Sequence, residues 1–102
     1  MVVEHVDIAV TPGREEEFEA AFVRGREVLA EAEGFRWARL LRQIEAPSSF
    51  LVLIGWDTLE AHTVGFRESE LFGQWRAVVG PFFAVPPTVV HYAGELTPAG
   101  DA

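Results

Sequence analysis

The chain has 102 residues, with 16 acidic side chains against 8 basic ones, a net charge of −8 and an isoelectric point near 4.7. This length fits one domain, and we predict a single domain over residues 1–96 and a flexible tail over residues 97–102. The acidic balance argues against nucleic acid and anionic membranes as partners. No segment has the pattern of a signal peptide or a membrane span, so a cytoplasmic location is expected.

Three residue types are missing, and each absence excludes a chemistry. The chain has no Cys, which rules out disulfides, thiolate nucleophiles and thiolate metal sites. It has no Lys, which rules out Schiff-base catalysis, and no Asn, which removes a common neutral hydrogen-bond donor from any oxyanion site. A codon bias toward Arg and Ala would explain the last two absences, and the exclusions hold in either case.

The first third of the chain predicts a strand followed by a helix. Alternation over residues 2–10 predicts a strand. One of its faces carries Val6, Ile8 and Val10, and the other carries His5, Asp7 and Ala9. Apolar residues at three- and four-residue spacing predict a helix over residues 14–33, with glutamates in its first turn and Gly34 at its end.

The middle and the end of the chain predict a hairpin, two helical segments and a last strand. Strands are expected over residues 35–45 and 49–56, and the second is apolar on both faces. Asp57 and Glu60 have the spacing of a capping box, after which Leu59, His62, Thr63 and Phe66 would share one helical face. Ser69 is expected to cap a second helical segment that ends at Gly80-Pro81, and the last strand is predicted over residues 88–96.

The element order is therefore strand, helix, strand, strand, helix, strand. This order predicts an α+β fold of the ferredoxin-like βαββαβ type, with an antiparallel sheet that has its helices on one face. A strand that is apolar on both faces would leave the open face of such a sheet with a large apolar patch. We therefore predict a homodimer in which two sheets pack face to face.

At this level the chain resembles the antibiotic biosynthesis monooxygenase family of dimeric α/β-barrel proteins, and the resemblance covers nearly the whole chain. The segments that carry it are Pro12 to Phe18, Phe35 to Arg42, Trp56-Asp57-Thr58-Leu59-Glu60-Ala61-His62, Gly65-Phe66-Arg67-Glu68-Ser69, Trp75-Arg76 and Pro87 to Tyr92. The resemblance implies a dimeric α/β barrel. It also implies a monooxygenase-like protein that uses no cofactor and acts on a small aromatic substrate of the phenol or quinol type.

In that chemistry the substrate becomes an electron-rich anion that itself reduces oxygen. The protein supplies an apolar cavity, a proton acceptor and groups that hold the anion. Haem-degrading relatives use an Asn, Trp and His set, whereas this chain has no Asn and carries Trp75 near the position expected for the haem-binding His. The resemblance therefore disfavours haem. A Soret absorbance that appears on adding haem, and that is lost in His62→Ala or His91→Ala, would support haem binding instead.

Three residues are candidates for catalysis. His62 lies on the predicted inward helical face and could accept a proton near neutral pH; the alternative is a buried structural histidine. Arg67 could hold a phenolate or carboxylate through two parallel bonds, or could pair with a nearby Glu. His91 and Tyr92 point to opposite faces of the last strand, so His91 would either transfer a proton or lie at the rim of the dimer contact.

Aromatic residues are the candidates for substrate binding: Trp56, Phe66, Trp75 and Trp37. The three tryptophans are more often part of a core, and Trp56 ranks first because it ends a strand directly before a helix. His5 and Asp7 could form an acid–base pair, or could belong to a polar strand face. The three histidines lack metal-ligand spacing, so no metal site is predicted.

Two functions remain open, an enzyme and a non-catalytic dimeric protein that binds a small apolar ligand. A titratable group that faces a cavity near Arg67 would favour the enzyme. A space filled by Phe66, Phe72 and Phe82 would favour binding alone.

Overall fold

One antiparallel sheet organises the molecule, which is described over residues 1–97 by a computed structural model. Its strands are β1 (Val2–Ala9), β2 (Phe35–Arg42), β3 (Ser49–Trp56) and β4 (Thr88–Ala93), in the order β2-β3-β1-β4. Two helices, α1 (Glu15–Leu29) and α2 (Glu70–Val79), join the strands together with a π-helical turn over Ala61–Phe66 and a 3-10 turn over Gly80–Phe82. The predicted ferredoxin-like α+β fold is confirmed. Of the predicted tail, residues 98–102 lie outside the described residues.

Alternation in the strands divides the sheet into an inner face, which the helices cover, and an outer face. In β1 the inner positions include the buried Val6 and Ile8, and in β3 they are Phe50, Val52 and Ile54. Helix α1 contributes Phe18, Phe22 and Leu29 to the same core. Burying large apolar side chains of this kind stabilises a fold by roughly 1.5–3 kcal/mol each. The core therefore lies between the inner face and the two helices.

Helix α1 packs closely against α2 because α1 carries a glycine at the contact. A Cβ atom built on Gly25 would lie 2.8 Å from the Trp75 ring, so only glycine lets that ring lie against the helix backbone. The helix ends at Leu29, four residues earlier than predicted, because the chain turns there: the amides of Glu31 and Ala32 donate to Val28 and Leu29. Gly34 has a φ of +85°, and its carbonyl accepts from the amide that follows β3.

The segment after β3 departs from the predicted capping box. The Asp57 carboxylate accepts from Arg36 Nε at 2.7 Å, and the Ala61 amide donates instead to Thr58 Oγ1 at 3.1 Å. The Arg67 amide donates to the carbonyl of His62, five residues back, which defines the π-helical turn. This wider turn buries His62 and Phe66 together but leaves Leu59 40% exposed, so the predicted common face is wrong for Leu59.

The last third of the described chain follows the prediction closely. The Ser69 hydroxyl accepts from the Leu71 amide at 3.2 Å, so the predicted helix cap is confirmed. Helix α2 ends at Val79, and Pro81 continues the chain into the 3-10 turn. Strand β4 ends at Ala93, three residues earlier than predicted. No helix within residues 1–97 has both the length and the apolar character needed to cross a bilayer.

Candidate functional site: a cavity with an acid–base cluster

A cavity of about 520 Å³ opens between the inner face of the sheet and α2. This volume lies within the range of sites that bind small organic molecules. Most of the lining is apolar or aromatic. It comprises Val6, Ile8, Leu29, Ile54, Phe66, Phe72, Trp75, Gly80, Phe83, Ala84, Val85, Pro86, Pro87 and Val89, and the polar lining residues are Glu4, His62, Arg67 and Arg76. Phe66 and Phe72 form part of the wall without filling the space.

Glu4 is the one acidic residue of the lining, and it is 5% exposed. It occupies an inner-face position of β1, directly opposite Ile54 of β3 on one side and His91 of β4 on the other. Its Oε1 atom accepts from Trp56 Nε1 at 3.0 Å and lies 3.3 Å from His62 Nε2. The indole N–H of Trp56 and an imidazole nitrogen of His62 thus lie beside the same oxygen of a buried carboxyl.

His62 connects Glu4 to His91. Its Nδ1 lies 2.8 Å from Nε2 of His91, so the three side chains form the continuous series Glu4–His62–His91. We call these three residues the acid–base cluster. The Trp56 ring stacks on the His62 ring, with centroids 5.4 Å apart and an interplanar angle of 21°. His62 is therefore fixed by contacts on three sides.

Burial shifts the pKa values of the acid–base cluster in opposite directions. It raises the pKa of Glu4 to about 7, although the Trp56 hydrogen bond and the Arg67 charge both lower it. It lowers the pKa of His62 to about 4, with further lowering by Arg67 and by His91. Burial and then Arg67 also lower the pKa of His91. Between pH values of about 4 and about 7, the Glu4 carboxyl is therefore protonated and the His62 imidazole is neutral.

Two arginines supply the positive charge of the cavity. Arg67 follows the π-helical turn, and Arg76 lies on α2 with its guanidinium carbon 5.8 Å from the centroid of the Phe72 ring. Within residues 1–97 no carboxylate lies within ion-pair distance of Arg67, so the alternative of an ion pair with Glu is not realised there. The Arg67 guanidinium is available to an anion in the cavity.

The structure brings most of the predicted site residues together. His62, Arg67, Phe66 and Trp75 line the cavity. His91 and Trp56 do not line it but contact His62 from behind, and Trp56 is fully buried.

Trp37 lies elsewhere, on the outer face of the sheet. Its ring covers Gly55, where an added Cβ would come within 2.5 Å of it. The sheet thus separates Trp37 from the cavity.

His5 and Asp7 share the outer face, as predicted, and His5 Nδ1 lies 3.9 Å from Asp7 Oδ2. The His5 ring contacts the edge of Tyr92, with centroids 5.7 Å apart. His5 Nδ1 is buried and has no hydrogen-bond partner within residues 1–97. The pair lies on the side of the sheet away from the cavity.

Sequence reasoning missed Glu4, although the alternation of β1 contains the signal. Glu4 has the same parity as Val6 and Ile8, so the apolar pattern places a carboxyl on the buried face. A charged residue in phase with a buried apolar face is a strong indication of a functional group, because burying an unpaired charge is costly.

The donor set suits proton transfer better than metal binding. Among residues 1–97 no group of three His, Cys, Asp or Glu side chains is arranged to hold a metal ion. His62 and His91 use their facing nitrogens on each other, which leaves no convergent lone pairs for a metal. The Glu4 carboxyl, whose pKa is about 7, can accept a proton from a weakly acidic ligand in the cavity. The Arg67 guanidinium can stabilise the resulting anion.

Fold and site thus define a small ferredoxin-like protein with an aromatic cavity and a buried acid–base cluster. Comparison with known proteins gives the family. The family model for antibiotic biosynthesis monooxygenase matches residues 1–78, and the chain belongs to that family.

Several known proteins are similar to this chain. YczJ of Bacillus subtilis (strain 168) is 35% identical over 92 residues, which is 90% of this chain and 97% of that protein. A solved structure from Bordetella bronchiseptica, assigned provisionally to the antibiotic biosynthesis monooxygenases, is 40% identical, covers 93% of this chain and 97% of its own, and has a TM-score of 0.89. SnoaB of Streptomyces nogalater, a cofactor-independent oxygenase, has a TM-score of 0.80 at 19% identity and covers 97% of each chain, so that likeness concerns the fold.

Proposed function

We propose that this protein is a cofactor-independent monooxygenase-like enzyme that acts on a small aromatic substrate of the phenol or quinol type. The observation that carries the proposal is the acid–base cluster at the wall of a mostly apolar, aromatic cavity. Family membership and the oxygenase with the same fold support it. A protein that only sheltered an apolar ligand would have no need of a buried carboxyl and a buried histidine, which are costly to bury.

The proposed reaction begins when the cavity removes a proton from the substrate hydroxyl. The resulting anion is electron-rich and passes its electrons to dioxygen, the oxidant. A ring C–H carbon ortho or para to the hydroxyl then gains one oxygen atom of dioxygen as the ring is oxidised to the quinone level, and the other oxygen atom leaves as water with two hydrogens of the substrate. The chain supplies the proton acceptor from the acid–base cluster and the positive charge of Arg67, while Phe66 and Trp75 contact the ring and exclude water.

Oxygen consumption with a substituted hydroquinone tests the proposed function. The wild-type protein should consume oxygen faster than the buffer does, and His62→Ala should lower that rate by about 100-fold because the substitution breaks the acid–base cluster. His62→Gln, which keeps a polar side chain of similar length, serves as a second variant, and circular dichroism reports on folding. Oxygen uptake that His62→Ala leaves unchanged would remove His62 from the mechanism. A wild-type rate equal to that of buffer would refute the reaction with this substrate class and favour the binding protein.

We also propose that the active unit is a homodimer formed through the outer face of the sheet. Large apolar side chains occupy this face: Leu41 is 50% exposed, Val90 41% and Tyr92 56%, and Leu51 and Leu53 are half-buried beside them. These apolar side chains flank His5 and Asp7 of β1 on both sides, and exposed clusters of large apolar side chains often mark protein–protein interfaces. The buried His5 Nδ1 gains access to a partner group if a second sheet packs there.

A charge on the outer face tests the dimer. Leu53→Arg should produce a folded monomer, because an unpaired guanidinium buried at a two-fold interface costs several kcal/mol. The matched control is Val23→Arg, on an apolar side chain of α1 that is 51% exposed, and it should remain dimeric. Sedimentation velocity measures both masses. A wild-type mass of one subunit at micromolar concentration would contradict the proposal.

A further inference from the structure

The two carboxyl oxygens of Glu4 differ in their contacts. Oε1 is engaged by Trp56 and His62, whereas Oε2 receives no hydrogen bond from any residue within 1–97. A carboxylate has acceptor sites on both oxygens, and Glu4 lines the cavity, so Oε2 is the atom that remains for a ligand. A nearly fully buried carboxyl with one oxygen held and the other free has the geometry of a positioned base.

The two histidines determine how Glu4 is held. A neutral imidazole carries one N–H, and both nitrogens of His62 face a partner. When Nε2 of His62 donates to Glu4, Nδ1 must accept, and the donor is then Nε2 of His91. The contact of 2.8 Å between the histidines is compatible with this His62 tautomer, which places an N–H beside an ionised Glu4.

We propose that Glu4 Oε2 is the atom that takes the hydroxyl proton of the ligand, with His62 and His91 as positioning residues and Arg67 as the counter-ion of the anion. This inference rests on the proposed function, because that function supplies the phenolic ligand. In the step, the O–H bond of the ligand breaks and a bond forms between the proton and Oε2. The electron pair stays on the ligand oxygen, whose negative charge faces the Arg67 guanidinium.

The titration of the cluster agrees with this division of roles. Burial raises the pKa of Glu4 to about 7, so the carboxylate is both populated and basic enough to act near neutral pH. Burial lowers the pKa of His62 to about 4, which makes its imidazole a weak proton acceptor. The groups around Glu4 are Trp56 of β3, its register partner His91 of β4, His62 within the π-helical turn, and Arg67 directly after that turn.

Glu4→Gln tests the inference, because the amide keeps the size of the side chain and removes the base. With the substituted hydroquinone, oxygen uptake should fall by about 100-fold or more, and the rise of the rate with pH near 7 should disappear. The control is Glu27→Gln, an exposed carboxyl on α1, which should retain both the rate and the pH profile. His91→Phe should shift the midpoint of the pH profile, which a merely structural residue would leave in place.

A probe that cannot be oxidised separates this inference from the proposed function. The probe is 3-nitrophenol, whose phenolate is yellow, added at a pH that lies above the pKa of Glu4, about 7, and below the higher pKa of the probe. Wild-type protein should bind it as phenolate, and Glu4→Gln should bind it as the colourless phenol. If the wild type ionises the probe but takes up no oxygen with the hydroquinone, the proposed oxygenase function is overturned and the role of Glu4 as the base is supported. Oxygen uptake and probe colour that both survive in Glu4→Gln would overturn the role of Glu4 and leave the oxygenase standing.

Discussion

Alanine in place of Trp56 is expected to lower the free energy of unfolding by about 3–5 kcal/mol, the usual cost of removing a buried tryptophan ring. The side chain is fully buried and contacts three other rings, those of Phe35, His62 and Phe66. Its indole N–H also donates to Glu4. The loss therefore combines a large cavity with a buried carboxyl oxygen that has lost a donor.

The variant Trp56→Phe separates these two contributions. It keeps an aromatic ring but removes the N–H, so we expect a smaller loss of about 1–3 kcal/mol, the usual cost of leaving a buried polar group without its partner. Urea unfolding at one fixed protein concentration measures both variants, because association would otherwise change the apparent stability. A loss below about 1 kcal/mol for Trp56→Ala would show that Trp56 is not a central part of the core.

Stability should depend on pH through Glu4 and His62 with opposite signs. The pKa of Glu4 rises from its ordinary value of 4.5 to about 7 on folding, so between these values the folded state keeps a proton that the unfolded chain releases. The free energy of unfolding then falls as pH rises through this window, by roughly 3 kcal/mol in total. The pKa of His62 falls from 6.5 to about 4, so its contribution is lost as pH falls through that range.

In the wild type the contributions of Glu4 and His62 to the pH dependence of the free energy of unfolding oppose each other where their pH ranges overlap. Variants that lack one of the two groups should show the other contribution alone. Relative to the wild type, Glu4→Gln should gain stability as pH rises from 4.5 to about 7. His62→Gln should instead gain relative stability as pH falls from 6.5 to about 4. Differences from the wild type remove the contributions of the other titrating groups. Parallel stability curves for all three proteins would contradict the shifted pKa values.

Secondary structure could be predicted where both faces of an element carry a clear pattern. The bounds of β3 agree with the prediction because its run of apolar residues is bordered by polar turn residues. The end of α1 and the cap after β3 could not be predicted from propensity. The end of α1 and the cap after β3 both depend on which of several possible hydrogen bonds form in the folded chain. Asp57, for example, pairs with Arg36 rather than with the helix amides.

The two faces of β2 show where the pattern is ambiguous. Trp37 and Leu41 lie outward, whereas Ala38 and Leu40 pack inward, so both faces carry apolar side chains. The register shifts between Phe35 and Trp37, and a shift of one residue moves a side chain to the opposite face. The sequence therefore could not determine on which side Trp37 lies.

By itself the sequence determined the element order, the sheet with its helices on one face and the presence of candidate acid–base residues. It also placed Glu4 in phase with the buried side of β1. Only the tertiary structure decided that Glu4, His62 and His91 meet, since they come from β1, a π-helical turn and β4. Contacts between such distant residues depend on strand register and helix phase, and one additional residue in a helical turn changes which side chains converge.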